Sequence, residues 1–140
     1  MASITKRILT LFISESMNSV NRNFSEGELI QRLFKTIDAV ITKEVKSIGV
    51  GVPGILDSVS GVIYDILNLP TWKEVPLKNL LEQRYNLPVL LNNDANCFVK
   101  GEKVYGLGKP YVNFVGLSIG TGLDMGVIIE NKLYNGTLCG

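Results

Sequence analysis

Histidine is absent from this 140-residue chain, and cysteine occurs only twice, as Cys97 and Cys139. The two cysteines lie too far apart for a Cys-x-x-Cys motif. Without histidine, the common zinc sites and the Ser-His-Asp triad are excluded, and no metal site is predicted. Such sparse cysteine favours a reducing compartment, so we expect a cytoplasmic protein.

The chain also lacks net charge and long apolar runs. Its 14 basic and 13 acidic residues give a formal charge of +1, too little to attract nucleic acid or an anionic membrane over a distance. No run reaches the length of a transmembrane helix, and the apolar run after Lys6-Arg7 is too short for a signal peptide. That run predicts a strand over about 4–14. The expected partner is therefore a small molecule or another protein, and neither nucleic acid nor a membrane.

Turn residues and apolar periodicity divide the rest of the chain into alternating helices and strands. Ser25-Glu26-Gly27-Glu28 is a capping box, and apolar residues at three- and four-residue steps predict a helix from there to about Thr42. Further helices are predicted over about 77–85 and 95–105, and strands over about 45–52, 61–64, 87–91, 111–118 and 125–129. This order predicts a single α/β domain with a mixed sheet and helices on its faces.

A glycine-rich stretch, Gly49-Val50-Gly51-Val52-Pro53-Gly54, has the G-x-G-x-x-G spacing of dinucleotide-binding loops. In those loops the last glycine leads directly into a helix, whereas here another strand is predicted to follow. The glycines therefore indicate a bend at a strand end, where the backbone comes close to another group.

Two further motifs each follow a predicted strand. Asn92-Asn93-Asp94-Ala95-Asn96 comes after the strand at 87–91, and Ser118-Ile119-Gly120-Thr121-Gly122 comes at the end of the strand at 111–118. Open sheets present their ligand crevice at strand ends. We therefore expect Asp94 and Thr121 at the same edge of one sheet, facing a shared cleft.

Each of these motifs has two interpretations. Asp94 can cap the helix that follows, with Asn93 or Asn96 sharing that role, or it can act as a general base for a hydroxyl group. Gly120-Thr121-Gly122 can be a hairpin turn, or a phosphate cradle made of exposed amides and the Thr121 hydroxyl. Because the Walker sequence G-x-x-x-x-G-K-[ST] is absent, any nucleotide must be held in another way.

In combination these motifs resemble the ROK family of sugar kinases and sugar-responsive repressors. The order and spacing match from about residue 45 to residue 136. The matching segments are Gly49-Val50-Gly51-Val52-Pro53-Gly54 with Asp57, Asn68-Leu69-Pro70-x-Trp72, Asn93-Asp94-Ala95-Asn96, Gly101-Glu102 and Gly120-Thr121-Gly122.

The resemblance implies half of an actin-like, ribonuclease-H-like ATPase fold and an ATP-dependent transfer of a phosphoryl group to a hexose or an amino sugar. By this resemblance Asp94 would be the base that deprotonates a sugar hydroxyl. The implied sugar-binding residues are Asn93, Gly54 and Asn68. The implied residues for ATP, with magnesium, are Gly120, Thr121 and Gly122.

Several features of the family have no counterpart in this sequence. They are the Asp-x-Gly-Gly-Thr phosphate loop, the Glu-x-Gly-His sugar motif, the cysteine-rich zinc site and the helix-turn-helix of the repressors. Leu123-Asp124-Met125-Gly126 also replaces the glycine-rich continuation after Gly122, and the charge of Asp124 would disfavour a nearby phosphate.

We therefore expect residues 1–140 to be a truncated N-terminal lobe of a sugar kinase, inactive alone. A regulator of the same family and a non-catalytic binding or assembly module are the alternatives. An exposed sheet edge at 4–14, an apolar face left without the second lobe, and the low net charge predict a homo-oligomer that forms through that edge or that face.

Overall fold

The computed structural model describes residues 23–66, 69–120 and 122–139. The chain divides into two compact units, Met1–Val45 and Lys46–Gly140. The strand expected at 4–14 and two of the expected site residues, Asn68 and Thr121, lie outside the described residues.

The first unit contains helix α1, Glu26–Asp38. Its predicted capping box is confirmed: the Ser25 hydroxyl accepts a hydrogen bond from the Glu28 backbone (3.3 Å), and the Glu28 carboxylate accepts one from the Ser25 backbone (2.8 Å). The helix ends before the predicted Thr42. Residues 40–42 are all β-branched, a type of side chain that loses rotamer freedom in a helix.

The second unit contains the remaining two helices and seven strands of the described part of the chain. In chain order they are β1 Ile48–Val52, β2 Ile55–Asp57, β3 Val62–Asp65, α2 Leu77–Tyr85, β4 Val89–Asn93, α3 Asp94–Val104, β5 Phe114–Ile119, β6 Leu123–Ile129 and β7 Lys132–Tyr134. The short strand β2 was not predicted, since three residues are too few to show a period.

The strands form one parallel pair and two antiparallel groups. β1 pairs with β4 in parallel, β2 pairs with β3, and β5, β6 and β7 follow one another as a three-stranded sheet. The predicted mixed α/β fold with flanking helices is confirmed. The expectation that a single sheet carries both motifs is wrong for the described residues, because β4 and β5 belong to different sheets there.

Helix α3 packs closely against β5 and β6 across a pair of glycines. Gly116 and Gly126 face each other across the two strands. A Cβ at Gly116 would overlap the Val99 Cγ2 atom, and a Cβ at Gly126 would come within 2.9 Å of the Ala95 carbonyl oxygen. Larger residues at these positions would push α3, and with it the residue at its start, away from the sheet.

The most deeply buried side chains of the second unit are apolar and at most 1% exposed. They are Leu56, Ile63, Val75, Leu77, Leu81, Val89, Val99 and Ile128. Among the described residues, no helix has both the length and the apolar character that crossing a membrane requires.

One face of the β5–β6 hairpin is apolar and exposed. Its residues alternate with the glycines that face α3, so they lie on the opposite side of the sheet. They are Val115, Leu117, Ile119, Leu123 and Met125, each more than half exposed. We call this surface the outer apolar face.

Candidate functional site

The site begins at the bend that follows β1. Gly54 has a φ of +110°, and a Cβ on it would collide with the Asp65 carbonyl oxygen, so only glycine fits this position. The Gly54 carbonyl oxygen accepts a hydrogen bond from the Asn93 side chain (3.4 Å). The structure therefore brings together two of the predicted sugar-binding residues.

Asn93 caps helix α3. It is the last residue of β4 and keeps an extended backbone (φ −61°, ψ 144°), while its side-chain oxygen accepts hydrogen bonds from the backbone of Ala95 (2.9 Å) and Asn96 (3.2 Å). Asp94 is therefore not the cap, which corrects that interpretation of the motif. Asn93 is only 6% exposed, and its amide nitrogen keeps one hydrogen without a partner in the described part of the chain.

Asp94 is the first residue of α3 and is exposed. One carboxylate oxygen accepts a hydrogen bond from the Ala95 backbone (2.9 Å), and the other has no partner among the described residues. The positive end of the helix dipole favours a carboxylate at this position. A charged acceptor is thus held at the surface beside Asn93 and is free to bind a hydroxyl group.

Gly51 is a residue of the site to which the sequence prediction gave no role of its own, only a place in the glycine-rich stretch that was expected to approach another group. A Cβ on Gly51 would lie 3.5 Å from the Asp94 Cα atom and 3.6 Å from the Cys97 sulfur atom. Strand β1 and the start of α3 therefore touch at this glycine. The G-x-G spacing was the available signal, but it did not indicate which element approaches.

The Cys97 thiol shares this environment. Burial raises its pKa, and the charge of Asp94 and the neighbouring Cys139 raise it further. The thiol therefore stays protonated at neutral pH, and its titration is sensitive to the charge of Asp94.

The second motif is the turn of the β5–β6 hairpin. Ile119 pairs with Leu123, and the Gly120 backbone donates a hydrogen bond to the Gly122 carbonyl oxygen (2.9 Å). A Cβ on either glycine would meet nothing within 4 Å among the described residues, and the φ of Gly120 is outside the left-handed region. Packing around the turn therefore does not account for these glycines, and the turn is open on its outer side.

The turn lies at the end of α3 that begins with Asp94. Gly126 is close to Ala95 at the helix start, whereas Phe114, at the far end of the hairpin, contacts Gly108 beyond the helix end. Moving along β6 from Gly126 towards the turn therefore leads past the N-terminus of α3. The two motifs share one end of this helix although their strands belong to different sheets.

The described part of the turn offers little to the phosphates of ATP. The Gly120 amide is already used within the turn, and Asp124 is exposed on the same side of β6 as Gly126, which faces α3. A carboxylate there repels phosphate oxygens. Within the described residues, no three histidine, cysteine or acidic side chains gather to hold a metal ion such as magnesium.

Comparison with known proteins places this geometry in a family. A model of the ROK family matches residues 6–139. The chain belongs to the ROK family. The resemblance found in its motifs is thereby confirmed, and the ROK sugar kinases with similar structures share the actin-like ATPase fold that it implied.

Both sugar repressors and sugar kinases are among the relatives. A xylose repressor of Caldicellulosiruptor bescii is 37% identical over 139 residues, covering 92% of this chain and 35% of the repressor. A glucokinase of Thermotoga maritima is 38% identical over 110 residues, covering 78% of this chain and 35% of the kinase. The chain thus spans about a third of the length of these relatives.

A solved structure shows the same fold with ligands. The ROK glucokinase of Streptomyces griseus, crystallised with glucose and AMPPNP, superposes with a TM-score of 0.76 at 29% identity. The superposition covers 89% of this chain and 40% of that structure.

Proposed function

We propose that the chain carries the sugar-binding site of a ROK protein and that Asp94 binds a sugar hydroxyl in it. The observation that carries this proposal is that the neighbouring residues Asn93 and Asp94 have different roles. Asn93 caps α3 and contacts Gly54, which leaves one Asp94 carboxylate oxygen free at the surface. Glucose and xylose are the first ligands to test, since relatives are a glucokinase and a xylose repressor.

In a sugar kinase of this family, Asp94 would act as the general base. A carboxylate within hydrogen-bond distance of a hydroxyl can accept its proton as the oxygen attacks a phosphorus atom. ATP, with magnesium, would supply the phosphoryl group, and ADP would leave as its bond to the transferred phosphorus breaks. Asn93 would donate its remaining amide hydrogen to the sugar and fix the position of Asp94 by capping the helix.

Sugar binding is tested by calorimetric titration of the chain with glucose and with xylose. The Asp94→Asn variant removes the charge and keeps the shape of the side chain. We expect it to weaken binding about tenfold, because a hydrogen bond to a charged group contributes about 1.5–3 kcal/mol and one to the neutral amide that replaces it only about 0.5–1.5 kcal/mol. Gly49→Ala is the matched control, since a Cβ there meets nothing within 4 Å. Equal affinities for Asp94→Asn and the unaltered chain would contradict the proposed role.

A sugar-responsive regulator is the second candidate. Asp124 favours it, because a carboxylate beside the turn disfavours a nucleotide but does not interfere with a neutral sugar. We expect this chain to bind sugar without detectable AMPPNP binding and to show no ATP-dependent phosphorylation of glucose. AMPPNP binding that becomes detectable in Asp124→Gly would identify this carboxylate as the obstacle. Phosphorylation that is lost in Asp94→Asn would instead show a kinase.

A further inference from the structure

Asn92 joins three parts of the second unit through one side-chain amide. Its oxygen accepts hydrogen bonds from the Asn93 backbone (2.8 Å) and from the Asn96 side chain (3.3 Å). Its nitrogen donates to the side-chain oxygen of Asn135, which lies in the loop after β7 (3.3 Å). The end of β4, the first turn of α3 and this loop are therefore connected at one residue.

The chemistry of the partners fixes the orientation of these amides. A backbone N–H can only donate, so the Asn92 atom that faces the Asn93 backbone must be the oxygen. The other atom is then the nitrogen, and it needs an acceptor, which only the oxygen of Asn135 can supply. The contact between Asn92 and Asn135 thus has one direction.

The loop that contains Asn135 is held at both of its ends. Asn135 is bound to Asn92, and Cys139 forms a backbone bridge with Leu56 through two hydrogen bonds of 2.8 Å each. Leu56 lies in β2, directly after the bend at Gly54. The loop 135–139 therefore extends from Asn92, which binds the Asn93 backbone, to β2. Strand β2 follows the bend at Gly54, whose carbonyl oxygen binds the Asn93 side chain.

We propose that Asn92 and Asn135 are positioning residues. They hold the loop 135–139 in place beside the sugar site, where it forms one wall, and they hold the first turn of α3, which begins with Asp94. The inference rests on the proposed function for the identity of the ligand. The connection itself does not depend on a sugar, because Asn92 binds the backbone of Asn93, the residue that caps α3. Loss of the Asn135 acceptor leaves the Asn92 nitrogen unpaired, and that amide can then rotate away from the cap.

The test compares two substitutions at Asn135. Asn135→Ala removes the acceptor, whereas Asn135→Asp keeps an oxygen in its place. We expect Asn135→Ala to weaken the binding of glucose or xylose about 3- to 10-fold, the loss typical of one hydrogen bond, and Asn135→Asp to recover most of it. Lys132→Ala, at an exposed residue of β7, is the control and should bind as the unaltered chain does. A purely structural role would lower the midpoint of thermal unfolding and the affinity together in all weakened variants, without recovery by aspartate.

A second measurement does not need a sugar. The backbone amides of Ala95 and Asn96 both donate to the Asn93 side chain, so their exchange with deuterium reports the state of the cap. We expect faster exchange at both amides in Asn135→Ala and the rate of the unaltered chain in Asn135→Asp. Unchanged exchange in Asn135→Ala would overturn the inference. If the unaltered chain binds neither sugar but the exchange rates change as expected, the proposed function fails and the positioning role stands.

Discussion

The contact between α3 and the β5–β6 hairpin gives a prediction whose size follows from the structure. In Gly116→Ala the new methyl group overlaps Val99 Cγ2, while its next contacts, with Phe98 Cε1 at 3.4 Å and Val99 Cβ at 3.6 Å, are ordinary. Val99 is fully buried, so its side chain cannot turn out into solvent to make room for the new methyl group. Overpacking of this kind lowers the free energy of unfolding by about 1–3 kcal/mol.

Removing the opposing methyl groups should relieve the overlap. Val99→Ala alone costs about 1.6 kcal/mol for two methyl groups, with a further loss for the cavity. In the double variant the alanine at position 116 no longer overlaps any side-chain atom. We expect the loss of unfolding free energy in the double variant to be about 1–2 kcal/mol smaller than the sum of the losses in the two single variants.

Urea unfolding, followed by the fluorescence of Trp72, measures these energies. Trp72 is the only tryptophan and is 6% exposed, so unfolding changes its surroundings. Gly49→Ala serves as the control, because its Cβ meets nothing within 4 Å. Additive losses in the double variant would refute the view that these glycines exist to admit α3.

Three further predictions concern the site and its surface. Asp94→Asn should lower the pKa of Cys97, because it removes one of the charges that raise that pKa. Alkylation of Cys97 by iodoacetamide should then reach its half-maximal rate at a lower pH. An unchanged pH profile would show that the charge of Asp94 does not affect the Cys97 thiol. Gly51→Val should lower the unfolding free energy by about 1–3 kcal/mol and weaken sugar binding, because its side chain would press against Asp94. Gly49→Val should do neither, since a Cβ there meets nothing within 4 Å. Equal effects of the two substitutions would contradict the contact between Gly51 and Asp94. We propose that copies of the chain associate through the outer apolar face. Leu117→Glu should then reduce the sedimentation coefficient at micromolar concentration. If the unaltered chain is already a monomer at that concentration, this association is excluded.

Elements marked by local signals could be predicted to within a residue. The bounds of α2 match the prediction, since Pro76 favours a helix start and Asn86 adopts the left-handed conformation (φ 51°) that ends one. The capping box of α1 was equally visible, because both partners lie in the same turn. The bend at Gly54 followed from the glycines alone.

Strand pairing could not be predicted in the same way. A strand end followed by a polar motif looks the same whether the strand pairs with β1, as β4 does, or with β6, as β5 does. The pairing depends on contacts between residues far apart in sequence, for which local periodicity gives no information. The sequence therefore indicated two strand-end motifs correctly and assigned them to one sheet wrongly.

The candidate site was harder still, because neighbouring residues of the Asn-Asn-Asp motif are almost equally good caps. The last extended residue of β4 decides between them, and its register with β1 places that residue at Asn93. If this register were shifted by one residue, Asp94 would be the cap, and its carboxylate would accept hydrogen bonds from the backbone of the helix. The parallel pairing of Val52 with Asn93 thus leaves Asp94 at the surface. On this view β1 contributes to the proposed chemistry without supplying a functional side chain, since it fixes the register through Val52 and admits the start of α3 through Gly51.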